Sequence, residues 1–174
     1  MSMEDLKKET HEKHEAIGFA RKRNRLKGYD YSQQGAYFVT ICAKDLQELF
    51  GAIAMGELCI AHPALSRVGT IVEAAIENIP QIYPDVEIDR YVIMPNHIHM
   101  IIILDQADAD KNKNSKSIPS IMRSFKTMVT KDAGESFWQA SYHDHIIRNE
   151  ADYQRIWQYI DNNPATWADD CYYS

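Results

Sequence analysis

Long apolar runs are missing from this sequence. The longest, Met100 to Leu104, is far too short to cross a bilayer, so no contact with a membrane is predicted. Residues 1–15 (MSMEDLKKETHEKHE) lack the apolar core of a secretory signal. We therefore expect a cytoplasmic protein.

Cysteine is also scarce. Cys42, Cys59 and Cys171 are widely separated and show no CxxC spacing. This pattern argues against a disulfide framework or a zinc ribbon and favours free thiols in a reducing compartment.

An excess of positive charge is absent as well. The formal net charge is −6, which taken alone argues against a nucleic-acid partner. Residues 21–27 (RKRNRLK) nevertheless concentrate five basic side chains. This basic arm has two open interpretations, a contact with a phosphate backbone or a solvated turn. Its basic residues are Arg21, Lys22, Arg23, Arg25 and Lys27.

The length and apolar content predict a single globular domain. The chain has 174 residues, of which 45% are hydrophobic, enough to form a sizeable core. We predict a charged N-terminal leader over residues 1–20 and one domain over 21–174, with no internal repeat.

Apolar periodicity predicts an α+β fold with helices packed on an antiparallel sheet. The predicted strands are residues 35–42, a hairpin within 49–61, and two central strands, 86–94 and 98–104, that flank the Pro95-Asn96 turn. The first predicted helix lies between residues 62 and 82 and ends before Pro80. The other two are 119–131 and 150–162, and Pro164 stops the last of them. The polar segment 105–117 is predicted to be a flexible loop.

His97 and His99 stand two residues apart on a predicted central strand, so both side chains leave the same face. Such a pair can form half of a metal site or hydrogen-bond within the core. Its position beside the Pro-Asn turn, among residues that favour burial, supports the metal interpretation, because two buried rings need partners. His143 and His145 repeat the spacing in a shorter run and are second candidates.

The predicted helix 150–162 carries a second group of polar residues. Asp152, Tyr159 and Asn163 project within about 40° of one another, beside the apolar stripe. One shoulder of the helix therefore presents a carboxylate, a phenol and an amide, although Tyr159 could equally be an ordinary boundary tyrosine. Tyr153 lies on the apolar stripe and is a poorer candidate for a nucleophile.

Four segments together resemble a known family. They are RLKGYDYS with AYFVTI, then VIMPNHIHMIII, FKTMVTK, and FWQASYHDHIIRNEADYQRIWQYIDNNP. The combination is similar to the REP-associated tyrosine transposases, relatives of the single-tyrosine insertion-sequence transposases in the HUH nuclease superfamily. The resemblance covers residues 21–167.

The resemblance implies a ferredoxin-like α+β fold and metal-dependent cleavage and rejoining of single-stranded or hairpin DNA through a 5′-phosphotyrosine. It makes Tyr159 the nucleophile and His97, His99 and Asn163 the metal ligands. Asp152 and His145 are second-rank candidates, chosen from their own positions in the sequence. Imidazoles with an amide oxygen suit Mg²⁺ or Mn²⁺. The implied DNA contacts are the basic arm together with Ser124, Lys126 and Lys131.

Two rival functions stay open at this point. One is a domesticated DNA-binding protein that keeps the fold with little cleavage. The other is a zinc-dependent hydrolase built on the histidine pair, for which Asp152 is the candidate third ligand. The sequence is compatible with either a monomer or a homodimer, nucleoid-associated when bound to DNA.

Overall fold

The computed structural model describes residues 26, 28–55, 61–105 and 117–173. The predicted leader, the basic arm, Cys59 and most of the predicted loop 105–117 lie outside these residues. The contacts predicted for Arg21, Lys22, Arg23, Arg25 and Lys27 therefore stay predictions.

Six strands and four α-helices make up the described chain. The strands are β1 (Gly35–Cys42), β2 (Gly51–Met55), β3 (Ala61–Leu65), β4 (Val86–Ile93), β5 (His97–Leu104) and β6 (His143–Ile147). The helices are α1 (Arg67–Glu77), α2 (Ile79–Ile82), α3 (Ile118–Ala133) and α4 (Glu150–Asn162), and a 3₁₀ segment, Asn163–Asp169, follows α4.

The main sheet has four antiparallel strands in the order β4-β5-β1-β6, and β2 and β3 form a separate hairpin. Without that hairpin, the order of elements is strand, helix, two strands, helix, strand. This is the ferredoxin-like arrangement, so the predicted α+β fold class is confirmed. Strand β5 lies inside the sheet and is buried on both faces, which explains its nearly continuous run of isoleucines.

The two faces of the sheet bury different clusters. Ile98, Met100 and Ile102 of β5 share one core with residues of α1 and α3. Ile101 packs on the opposite face with Ile156 and Ile160 of α4. Since side chains alternate along a strand, His97 and His99 lie on the α4 face.

Several predicted elements are confirmed and one is wrong at its start. Strand 35–42 and helix 150–162 match the structure, but residues 61–65 form β3 rather than the beginning of a helix. The helix starts only after Ser66, whose side chain accepts a hydrogen bond from the backbone N–H of Gly69 at 3.1 Å. Apolar spacing could not separate these states, because the same residues also satisfy a short strand. Strand β6 and the 3₁₀ segment after α4 were not predicted.

Candidate active site

The start of β5 brings two buried imidazoles together. His97 is fully buried, His99 is 1% exposed, and their Nε2 atoms lie 2.9 Å apart. Ile98 points into the opposite core, so the prediction that both histidines share one face is confirmed. Their direct contact shows two ligand atoms converging on one point.

The Nδ1 atom of each ring contacts a different polar side chain. Nδ1 of His97 lies 2.9 Å from Oδ1 of Asn96, and Nδ1 of His99 lies 2.8 Å from Oγ1 of Thr40, its register neighbour on β1. The amide nitrogen of Asn96 donates to the backbone oxygens of Leu46 at 3.2 Å and of Tyr172 at 2.8 Å. These contacts leave both Nε2 atoms directed at each other and fix the ring orientations.

The surroundings keep both imidazoles uncharged. Burial lowers the pKa of His97 to about 4, and the charge of Asp170 and the side chain of Asn163 oppose that shift less strongly. Burial, together with the neighbouring His97, also holds the pKa of His99 well below its usual value. Neutral imidazole is the form that binds metals, so the pair is prepared as a ligand set at physiological pH.

Tyr159 of α4 projects to the histidine pair. Its hydroxyl lies 3.2 Å from Nε2 of His99 and donates to Oδ2 of Asp170 at 3.3 Å. Its ring contacts His99 and Phe38, yet 39% of the residue remains exposed. Burial, followed by the charge of Asp170, raises the pKa of the phenol above its ordinary value. The phenol is therefore protonated, and part of the residue faces solvent.

Asn163 lies at the end of α4 and is fully buried. It keeps a right-handed helical conformation, with φ −55° and ψ −42°, even though a proline follows. Its amide nitrogen donates to Oδ2 of Asp170 at 2.6 Å, whereas its buried Oδ1 has no hydrogen-bond partner. A buried acceptor without a partner is costly unless a ligand satisfies it.

Asp170 is the site residue that the sequence analysis missed. One oxygen atom of its carboxylate and the ring nitrogens of His97 and His99 lie within 4.8 Å of one another. The ring of Tyr172, two residues later, lies 4.5 Å from the ring of His97. In the sequence Asp170 belongs to an acidic stretch that resembles surface charge, and no periodicity links it to β5.

The donor set fits a divalent cation. It combines two neutral imidazoles and a carboxylate, whose ligand atoms lie within 4.8 Å of one another, with the unpartnered amide oxygen of Asn163, whose amide nitrogen binds the same carboxylate. Nitrogen and oxygen donors of this kind bind first-row divalent metals. The group of His97, His99 and Asp170 can therefore hold a metal ion.

Comparisons with known proteins identify the family of this chain. Residues 64–163, more than half of the chain, match the family described as IS200-like transposases. A Haemophilus influenzae protein of uncharacterised function is 40% identical over an alignment of 172 residues that covers 88% of this chain and 93% of that protein. The chain belongs to the IS200-like transposase family.

Two further relatives carry a more specific description. A REP-associated tyrosine transposase of Escherichia coli K12 is 34% identical over 80 residues, covering 45% of this chain and 44% of that protein. The solved structure of a REP-associated tyrosine transposase bound to a REP hairpin has a TM-score of 0.61 and 24% identity, covering 82% of this chain and 73% of the other. At that identity the likeness shows the fold.

The segment matched to the transposase family contains most of the site. It includes His97, His99, Tyr159 and Asn163. Asp170, which contacts the last two of these, lies beyond it.

The two second-rank residues pair with each other rather than with the metal group. Nε2 of His145 lies 2.7 Å from one oxygen of Asp152, and Arg155 binds the other at 2.6 Å. Asp152, the candidate third ligand of the zinc hydrolase, therefore has both carboxylate oxygens engaged by other residues. Asp152 lies on the same side of α4 as Tyr159, but two helical turns earlier along the axis.

The other candidate tyrosines are occupied elsewhere. The hydroxyl of Tyr153 donates to Asp89 at 2.8 Å, and this bond raises its pKa to about 12. Tyr142, a further tyrosine that the sequence offers as a nucleophile, is buried in the core beneath the opposite face of the sheet. Of the tyrosines weighed from the sequence, Tyr159 is the one at the histidine pair.

The predicted DNA contacts on α3 lie away from the site. Ser124, Lys126 and Lys131 belong to a helix that packs on the opposite face of the sheet from the histidine pair. The ammonium of Lys126 donates to the backbone oxygens of Gln139 at 2.8 Å and Ser141 at 2.9 Å, so it tethers the loop before β6. Their roles in DNA binding stay predictions.

Proposed function

We propose that this transposase-family protein cleaves and rejoins single-stranded DNA through a 5′-phosphotyrosine on Tyr159. The observation that carries the proposal is the position of the Tyr159 hydroxyl, 3.2 Å from Nε2 of His99 at the buried histidine pair. A half-exposed phenol beside a metal-type ligand group can reach a phosphodiester that enters from solvent.

The reaction follows from the chemistry of the phenol. Tyr159 loses its proton and its oxygen attacks phosphorus, the bond to the 3′ oxygen breaks, and that oxygen takes up a proton. The products are a 5′-phosphotyrosine ester and a free 3′-OH. Because the ester keeps the phosphodiester linkage, attack by a 3′-OH restores the strand and releases Tyr159 without ATP.

We assign the metal ligands to His97, His99 and Asn163, with Asp170 beside them. The unpartnered Oδ1 of Asn163 and the neutral rings support this assignment. When bound, Mg²⁺ or Mn²⁺ supplies Lewis-acid polarisation of the phosphate oxygens, and Mn²⁺ matches the nitrogen ligands better.

The substrate that we propose is a single strand next to a DNA hairpin. The REP-associated transposase of similar fold was solved bound to a REP hairpin, which supports this choice of DNA. The protein would then act in the cytoplasm, on the nucleoid. No helix among the described residues is long and apolar enough to span a membrane.

One rival remains, a protein that binds DNA without efficient cleavage. The raised pKa of Tyr159 and its hydrogen bond to Asp170 favour this rival, because both keep the phenol protonated. The zinc hydrolase has weaker support, since Asp152 is bound to His145 and Arg155.

Covalent capture of DNA tests the proposal. Purified protein is incubated with Mn²⁺ and single-stranded oligonucleotides copied from the DNA on either side of its gene, and adducts are resolved on denaturing gels. We expect an adduct with the natural sequence and none with Tyr159→Phe, whose DNA binding is retained. His97→Ala should also lose the adduct.

Two matched variants control for the neighbouring phenols. Tyr153→Phe removes a hydroxyl that is bound to Asp89, and Tyr172→Phe removes the hydroxyl of the ring that packs on His97. Both should still form the adduct. An adduct that persists in Tyr159→Phe would assign the nucleophile elsewhere, and tight binding without any adduct in the natural sequence would favour the rival.

A further inference from the structure

The sheet face beside Tyr159 is only partly covered by the described residues. Helix α4 packs mainly on β4 and β5, while Phe38 of β1 and Ile147 of β6 lie at the edge of its apolar cluster. In the register of β1 and β6, His143 lies opposite Thr40 and His145 opposite Phe38, so these side chains share the face of His99. His143 and His145 are exposed and Phe38 is half-buried.

The shoulder of α4 forms one wall of this trough. Asp152, Arg155 and Tyr159 lie three and four residues apart, and therefore on the same side of the helix. Asp152 is bound across the trough to His145, whose side chain is 49% exposed, and to Arg155, whose side chain is 70% exposed. The imidazole and the guanidinium are thus oriented by one carboxylate while both remain open to solvent.

The trough is continuous with the candidate active site. The ring of Phe38 stacks on His99 at 5.2 Å and meets the ring of Tyr159 edge-on at 6.2 Å. Arg155 precedes Tyr159 by one helical turn, or about 6 Å along the axis. A DNA strand that runs from a phosphate at Tyr159 along the trough would pass the ring of Phe38 first and the guanidinium of Arg155 within about one helical turn.

We propose that this trough holds the nucleotide next to the cleaved phosphodiester of a single strand. Phe38 stacks on its base, and Arg155 and His145 bind its phosphate. Aromatic rings beside basic side chains are the features that recognise single strands without reading their sequence. Arg155 can serve both partners, because the guanidinium has five N–H donors and Asp152 occupies few of them. The inference rests on the proposed function, which places a phosphate at Tyr159.

The test measures binding rather than cleavage. Every protein carries Tyr159→Phe, and fluorescence anisotropy follows a labelled oligothymidylate between about 50 and 200 mM salt. Adding Arg155→Gln should weaken binding about three- to tenfold and reduce the salt slope by about 0.7, the value for one single-strand phosphate contact. Arg123→Gln is the matched control on the exposed side of α3 and should change neither quantity.

The aromatic contact is tested separately. Phe38→Leu should weaken binding about tenfold without changing the salt slope, because stacking releases no counterions. Phe38→Tyr should restore the affinity, and thermal denaturation checks that each variant is folded. An unchanged affinity and slope in Arg155→Gln would overturn the phosphate assignment. Equal binding by Phe38→Leu and its parent would overturn the stacking assignment.

The two proposals can fail separately. If the natural sequence forms no covalent adduct but Arg155→Gln still lowers affinity and slope, the trough stands and the cleavage chemistry is refuted. If the adduct forms and Arg155→Gln behaves like Arg123→Gln, the chemistry stands and the trough is refuted. In the second case the contact between Arg155 and Asp152 is an ordinary surface ion pair.

Discussion

Replacing Thr40 with valine should weaken metal binding without unfolding the protein. Valine has nearly the shape of threonine and suits a strand, so β1 keeps its packing. Thr40 is 3% exposed, and its hydroxyl lies 2.8 Å from Nδ1 of His99. Its loss leaves that nitrogen buried without the partner that orients the ring and raises its basicity as a ligand.

The expected magnitude follows from this single contact. Loss of such an outer partner costs about 10- to 100-fold in metal affinity, or roughly 1.4 to 2.7 kcal/mol. Isothermal titration of the purified protein with Mn²⁺ measures the change without DNA or catalysis. Thr40→Ser keeps the hydroxyl and should stay within about threefold of the natural sequence.

A second control separates the neighbouring phenol. The side chain of Thr40 also affects the pKa of Tyr172, although burial is the main cause of that shift. Tyr172→Phe removes this partner and keeps the ring on His97, so it should bind Mn²⁺ like the natural sequence. Equal Mn²⁺ affinity in Thr40→Val and Thr40→Ser would refute the argument, because the hydroxyl would then contribute nothing to the ligand.

Three further predictions concern stability. Gly69→Ala should lower the free energy of unfolding by about 1–3 kcal/mol in urea denaturation, since its Cβ would overlap the carbonyl oxygen of Phe50. An unchanged free energy of unfolding in Gly69→Ala would contradict this packing. Gly134 has open space around it but a φ of 87°, so Gly134→Ala should lower the free energy of unfolding by about 1–2 kcal/mol. Burial lowers the pKa of Lys126 to about 8. Between pH 8 and about 10.4 the unfolded chain therefore holds a proton that the folded chain lacks, and the free energy of unfolding rises with pH. Lys126→Met should remove that rise from urea denaturation series, and an unchanged pH dependence would place the group in solvent.

Sequence patterns predicted the parts of the site that depend on local geometry. The two-residue period of β5 places His97 and His99 on one face, and the helical period of α4 places Tyr159 and Asn163 off the apolar stripe. Both conclusions hold because regular elements convert spacing into direction. The pairing of β1 with β5, which brings in Thr40, needs the register of the whole sheet.

The rest depends on contacts that no local pattern encodes. Asp170 reaches the histidine pair because the chain turns back after α4 and Asn96 binds the backbone oxygen of Tyr172. A helical projection gives the angle of a residue around the axis but not its position along the axis, so it could not separate Asp152 from Tyr159. Strand β6 was missed since it is short, polar and at the sheet edge, where neither burial nor alternation is complete.

The hydrogen bonds around the imidazole pair determine where its protons lie. Asn96 gives its amide hydrogens to two carbonyl oxygens, so its Oδ1 must accept and Nδ1 of His97 must carry a hydrogen. His97 then offers a lone pair to His99, whose Nε2 must carry the shared hydrogen, and Nδ1 of His99 accepts from Thr40.

A cation bound by both Nε2 atoms needs a lone pair on each of them. His97 already has its lone pair at Nε2, whereas His99 must change tautomer. The Thr40 hydroxyl can rotate from donor to acceptor and follow that change, which an amide oxygen cannot do. The two histidines are therefore inequivalent, and the second would become a ligand only with the rotation of a single hydroxyl on the neighbouring strand.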